Sequence, residues 1–236
     1  MEDPELWTRV RRKQFQGVSD WLYHHGRGGR HVNMEEEGGI TLKCTPLDLA
    51  IATSASVAIV KLLLLYGADP NTKDRKGNSP LNRMSGRLNI ETVRMLLDTG
   101  ANANNKSDDG KTPLYNLASL SFPCGSIGIA EMLLEHGVDV DTKNIEGYTP
   151  LMAAVSTGSM DLVLWYSADI YIQNDYGLTA EDIANHMGHS RQMIADTLKQ
   201  EDRKQKSQAF AMAEHERLGE ASQAKKMHRD AFQKDL

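Results

Sequence analysis

Few residues of this chain have the types and spacing that chemistry demands. His186 and His189 stand three apart, a spacing that sets two imidazoles on one helical face, where they could share a metal. Gly26-Arg27-Gly28-Gly29 is rich in glycine like a phosphate cradle, but no helix pattern follows it, so it reads as loop. His24-His25 falls at the end of a helical pattern, where a cation is favourable for the dipole alone. Cys44 and Cys124 are the two cysteines, and two so placed make no zinc site. There is no G-x-S-x-G, no phosphate-binding P-loop and no H-E-x-x-H. No catalytic, cofactor-binding or metal-binding residue is assigned, and the chain is read as not an enzyme. What is left is recognition, which depends on the elements that hold side chains in place.

One stretch sets those elements. Gly67-Ala68-Asp69-Pro70-Asn71-Thr72-Lys73-Asp74-Arg75-Lys76-Gly77-Asn78-Ser79-Pro80-Leu81 recurs, with changes, at 100–114 and 137–151, and in damaged form at 167–181. Gly67 and Gly100 suit the left-handed residue just past a helix. Asp74-Arg75-Lys76-Gly77 is turn chemistry. Thr112-Pro113-Leu114 and Thr149-Pro150-Leu151 open helices, with a hydroxyl to cap a free N–H and a proline whose missing donor is no loss there.

The unit G-A-D-x-N-x-x-D-x-x-G-x-T-P-L, followed by L-A and a later I-V-x-L-L-L, resembles the ankyrin repeat. Its Thr or Ser falls at Thr45, Ser79, Thr112, Thr149 and Thr179, at intervals of 34, 33, 37 and 30 residues. About 33 residues is the period of that family. The resemblance covers residues 5 to 200. It implies an all-α ankyrin-repeat solenoid of antiparallel helix pairs with projecting β-hairpin fingers, binding a protein on its concave face. The pattern also places a Gly-His at Gly188-His189, which accounts for that histidine without a metal.

The divisions expected are a capping helix pair with a long acidic finger at 1–44, repeats at 45–78, 79–111, 112–148, 149–178 and 179–200, and a charged helical or disordered tail at 201–236. In the cap, Leu6, Trp7 and Val10 share one face and Phe15, Val18, Trp21 and Leu22 a second, with Arg9, Arg11, Arg12 and Lys13 outside. The finger that follows carries Glu35-Glu36-Glu37 and is read as a solvated loop. Leu47, Leu49 and Ala50, then Val57, Ile59, Val60, Leu62, Leu63 and Leu64, are expected as core, as are Leu81, Met84, Ile90, Val93, Leu96 and Leu97. Four extra residues fall within 120–125, where Phe122 either tucks in or stays exposed. The fourth unit is about one turn short, and Ser167 stands where its siblings end in glycine. In the tail, Ala224, Met227, Ala231 and Phe232 have helical spacing.

Net charge is −5, split as +2 from Lys199 onward and −7 before it. An acidic body argues against nucleic acid or an anionic membrane as partner. No run approaches the roughly 18 apolar residues that span a bilayer, and the N-terminus has no apolar signal core. Stacked helices sit about 8–10 Å apart, which puts Cys44 and Cys124 beyond disulfide reach. A cytoplasmic or nuclear monomer is expected.

By the resemblance, the finger tips and the inner-helix positions facing the groove form the protein-binding surface. The site residues assigned are Arg75, Lys76, Arg87, Asp108, Asp109, Lys111, Tyr115, Glu146, Tyr148, Asp175 and Tyr176, with Asn78, Ile145, Leu178, Ser156 and Met187 beside them. Tyrosines at such tips are interface anchors or pack on neighbouring fingers; both readings stay open. The expected function is an adaptor or scaffold that binds a partner protein. The alternatives are a regulatory sequestering protein, or a substrate of an asparaginyl hydroxylase, which the resemblance places at Asn71.

Overall fold

The computed structural model describes residues 4–25, 32–33, 45–53, 56–83, 90–120, 126–159, 168–188, 193–200, 202–204 and 206. Its helices are α1 (Pro4–Arg11), α2 (Phe15–His25), α3 (Pro46–Ala52), α4 (Val57–Leu65), α5 (Ile90–Asp98), α6 (Pro113–Ala118), α7 (Ser126–Glu135), α8 (Pro150–Thr157) and α9 (Ala180–His186), with a further helical stretch at 193–200.

The starts and stops are chemical. Thr45, Thr112, Thr149 and Thr179 are extended, and each hydroxyl oxygen accepts from the N–H three residues on. Proline follows at the first helical position of α3, α6 and α8. Thr45 with Asp48 and Thr179 with Asp182 complete reciprocal capping boxes, the carboxylate accepting from the threonine N–H. At the other ends, Gly67, Gly100 and Gly137 take φ of +86°, +91° and +71°. The residue after each reaches back five positions, as in Ala68 N–H to Leu63 O at 3.0 Å and Ala101 N–H to Leu96 O at 2.9 Å.

These pieces stack as an inner row (α1, α3, α6, α8, α9) and an outer row (α2, α4, α5, α7); α1 packs on α3, α6 on α8 and α8 on α9 in the first, and α2 on α4, α4 on α5 and α5 on α7 in the second. Leu6, Leu22, Leu47, Ile59, Leu63, Leu81, Leu96, Leu114, Leu133 and Met152 are fully buried, so the core runs unbroken from the cap to the fourth unit. Ile183, Ile194, Ala195 and Leu198 close it at the far end.

Several expectations need adjustment. Beyond Ser79 the chain makes turns over 80–83 and closes one helical bond, Arg83 N–H to Ser79 O. The side chain of Asn82 caps Ser79 and reaches the Asn105 and Lys111 carbonyls of the next finger. Ile90 is 45% exposed rather than core. Arg9 is half-buried, with Nη1 3.3 Å from the Gly17 carbonyl. The fingers reverse as hairpins, yet among the described residues none pairs as a strand. Both cysteines, Glu35 to Glu37, Met84, Phe122, the shortened helix before Ser167 and the segment 224–232 lie outside the described residues. No helix among those described is long and apolar enough to cross a membrane.

Candidate partner-binding face

Each finger is a turn organised by its own polar residue. Asp74 Oδ1 accepts from the Lys76 and Asn78 N–H groups, both at 2.8 Å. Asn144 Oδ1 takes Glu146 and Tyr148 at 3.0 and 2.8 Å, and Asn174 Oδ1 takes Tyr176 and Leu178 at 3.0 and 2.9 Å. In the second finger Ser107 Oγ accepts from Lys111 at 3.2 Å. The fingers also bond to one another. Asp108 N–H donates to Lys76 O, Ile145 N–H to Asp109 O and Asp175 N–H to Glu146 O, at 2.9, 3.1 and 3.2 Å. Glycine is required at the tip for two reasons. Gly147 has φ +78°, and a Cβ there would lie 2.6 Å from the Asp175 nitrogen.

A second set of bonds ties the bases of the fingers together. The Asn71 amide donates to Gly100 O (2.9 Å) and accepts from Asn102 N–H (2.7 Å). Asn104 repeats this with Gly137 and Asp139, and Asn33 does so with Gly67 and Asp69. Asp141, next in the series, accepts from Asp169 N–H at 3.0 Å but has no N–H to give. Tyr171 follows, and its hydroxyl donates to Asp202. The sequence reading missed this ladder, although Asn71 and Asn104 stand one period apart and Val32-Asn33 repeats the motif. Asn71, the alternative modification site, is exposed and has both ends of its amide in the ladder.

Above this frame lie the site residues. Arg75 and Lys76 are exposed on the first tip. Beneath them Arg83 Nη2 lies 3.3 Å from Asp74 Oδ2 and 3.8 Å from the buried Asp48 Oδ1. Burial pushes the Asp48 carboxyl above its usual range, against the opposing pull of Arg83 and Thr45. Asp74 feels burial too, but its bonds from Asn78 and Lys76, with Arg83, together hold it below the usual range.

The structure gathers the other assigned residues into one strip. Lys111 Nζ sits 3.5 Å from Asp109 Oδ2 and 5.9 Å from the centre of the Tyr115 ring. The Tyr115 hydroxyl accepts from Asn144 Nδ2 at 3.4 Å. Burial pushes that phenol up, and the nearby Glu146 and Tyr148 add to the rise. Tyr148 meets Tyr176 edge to face, with centroids 6.4 Å apart and planes at 66°. Tyr148 is half-buried, whereas Ile145 and Tyr176 are 65% and 69% exposed. Asp108, Glu146 and Asp175 are exposed along the tips. Ser156 bonds back to its own helix, and Met187 is partly exposed at the end of α9. Arg87 lies outside the described residues. Of the proposed histidine pair, His186 donates to the Asp182 carbonyl at 2.8 Å and His189 is outside them. Among the described residues no three His, Cys, Asp or Glu side chains cluster as metal ligands.

Two family models match the chain. One describes ankyrin repeats in three copies and covers residues 47–144; the other describes ankyrin repeats in many copies and covers 133–184. Among solved structures the chain is similar to the ankyrin repeat domain of Bcl-3, described as a unique member of the IkappaB protein family. The identity is 27%, over 84% of this chain and 86% of that one, with a TM-score of 0.71. A search of curated proteins gave no match.

Proposed function

The chain belongs to the ankyrin repeat family, whose fold is a non-catalytic protein-interaction module, and from that premise we propose that it is an adaptor or scaffold binding a partner protein through the strip from Lys111 to Tyr176. The observation that carries this reading is the Tyr148–Tyr176 pair. Two rigid rings, held by finger turns and flanked by exposed Ile145, offer apolar contact area at little entropic cost. The tip carboxylates Asp108, Asp109, Glu146 and Asp175 would steer a basic partner and fix its register.

The test is quantitative capture by the full chain from its own cells, comparing wild type, Tyr148→Ala/Tyr176→Ala and Tyr23→Ala, the last an exposed tyrosine on α2. A specific partner is enriched by wild type and by the α2 variant and lost from the double variant. Its affinity falls by more than about 1 kcal/mol, in a double variant that is still folded by its thermal unfolding transition. Equal capture by all three would move the binding site away from the fingers.

A further inference from the structure

The strip has more carboxylates than cations. From the second finger to the fourth its tips present Asp108, Asp109, Glu146 and Asp175; of the three lysines on these fingers, Lys106 is exposed, Lys111 is engaged by Asp109 and the Tyr115 ring, and Lys143 Nζ donates to the Gln173 carbonyl at 2.7 Å. Between the carboxylates stand Ile145, Tyr148 and Tyr176. Such a surface is complementary to a short segment that interleaves cations with bulky apolar side chains.

The chain contains such a segment. Residues 224–234 read Ala-Lys-Lys-Met-His-Arg-Asp-Ala-Phe-Gln-Lys. Lys225, Lys226, Arg229 and Lys234 against Asp230 give it a local charge of +3, with Met227 and Phe232 as apolar anchors. The fold places the approach to this segment at the base of the fourth finger. Asp202 bonds to the Tyr171 hydroxyl, Lys206 pairs with Asp202 at 2.9 Å, and Lys206 Nζ lies 5.9 Å from the centre of the Tyr171 ring. Tyr171 stands at the base of the finger whose tip carries Tyr176, so the chain leaves the described structure at the base of the fourth finger. The 19 steps from Lys206 to Lys225 reach about 60 Å when extended. Fingers two to four span about 20 Å at the usual spacing of stacked helices.

We propose that residues 224–234 of this chain dock in cis on the acidic, tyrosine-lined strip of fingers two to four and compete there with the partner protein. The proposal rests on reading that strip as a binding surface. A linker of this length sets an effective concentration of about 1 mM. A segment that binds with a Kd of about 100 µM as a free peptide is then docked about ten times as often as not.

The probe is a fluorescent peptide of residues 222–236, titrated by anisotropy onto two full-length proteins. One is wild type. The other carries Lys225→Glu, Lys226→Glu, Arg229→Glu and Phe232→Ala, which disable the tethered segment. The disabled protein should bind the peptide about ten-fold more tightly than wild type, because its strip is vacant. Adding Tyr148→Ala/Tyr176→Ala to the disabled protein should abolish that gain, and raised salt should weaken the binding. The proposal is overturned if both proteins bind the peptide equally, if neither binds it, or if binding ignores the two tyrosines. It is also overturned in its cis form if wild type sediments as a dimer that the disabled protein does not form. The capture experiment separates the two ideas. Partner loss in the tyrosine variant without any peptide binding sinks the tethered competitor and leaves the strip as the partner site, whereas equal partner capture sinks the strip reading.

Discussion

At the first rungs of the ladder the residue between finger bases is an asparagine, at 33, 71 and 104; at the last two it is Asp141 and Tyr171. An amide gives one hydrogen bond and takes one, so each asparagine satisfies both a carbonyl and an N–H of the next unit. Asp141 keeps the acceptor, loses the donor and brings a charge close to Asp139 and Asp169. Tyr171 exchanges the link to a following finger for one to the C-terminal helix. The caps differ in the same way. Thr45–Asp48 and Thr179–Asp182 make the same bonds, yet Asp48 is buried and its carboxyl is pushed up by that burial, whereas the bonds from Thr179 hold Asp182 below the usual range. One half of the molecule is an enclosed frame. The other half has the more open Thr179–Asp182 cap and carries the exposed Tyr176 tip. The strip proposed for recognition reaches into the part of the stack where the ladder has lost its asparagines.

The largest test of this contrast is in the core. Leu96 is fully buried in the middle of the stack, and Leu198 is 3% exposed at its end. Leu96→Ala should cost about 2–5 kcal/mol in the main unfolding transition. Leu198→Ala should cost that transition less, because a terminal unit can open while the rest stays folded. Hydrogen exchange should show the same order, with amides over 169–198 opening at lower free energy than those over 45–134. Uniform protection across both blocks would break the comparison.

A smaller difference is expected at two glycines of the same turn. Gly147 and Gly177 have φ of +78° and +75°, so alanine at either meets backbone strain of about 1–2 kcal/mol. At Gly147 the new Cβ also meets the next finger, while nothing lies within 4 Å of one at Gly177. Gly147→Ala should therefore lower the melting temperature clearly more than Gly177→Ala. Equal losses would mean that contact between fingers contributes little.

Much of this was legible in the sequence. Thr-Pro-Leu located the starts of α3, α6 and α8, and Gly67, Gly100 and Gly137 located three stops, because caps are local chemistry. The Tyr148–Tyr176 neighbourhood followed from the period, which sets equivalent tip positions side by side. The ladder, the Arg83 bridge between Asp48 and Asp74 and the Tyr171–Asp202 bond were missed. Each depends on a side chain reaching another unit, and residue type alone does not report that reach. The turn at 80–83 was missed because Ser-Pro-Leu, with Asn82 capping Ser79, reads as a helix start.

The smallest effect expected is at the weakened rung, and its sign depends on pH. Asp141 is pushed above the ordinary 3.8 first by burial, then by the charges of Asp169 and Asp139, with the Asp169 N–H pulling the other way. A carboxyl whose pKa is higher folded than unfolded subtracts stability when ionised and regains it as pH falls through the folded value. Asp141→Asn keeps an acceptor for the Asp169 N–H, removes the repulsion and restores the donor that Asn71 and Asn104 use. At pH 7 it should stabilise the protein by less than about 1 kcal/mol, since the site is only half-buried and partly screened. The gain from removing the charge should shrink as pH falls through the folded pKa of Asp141 and be absent only well below 3.8, where wild type is protonated in both states. Any gain that persists there comes from the restored donor. Denaturant titration of both proteins at pH 7 and at about pH 2.8 separates the two contributions. A variant less stable than wild type at pH 7 would show that the carboxylate at this rung is favourable, and that the contrast between the two halves of the ladder is not one of strength.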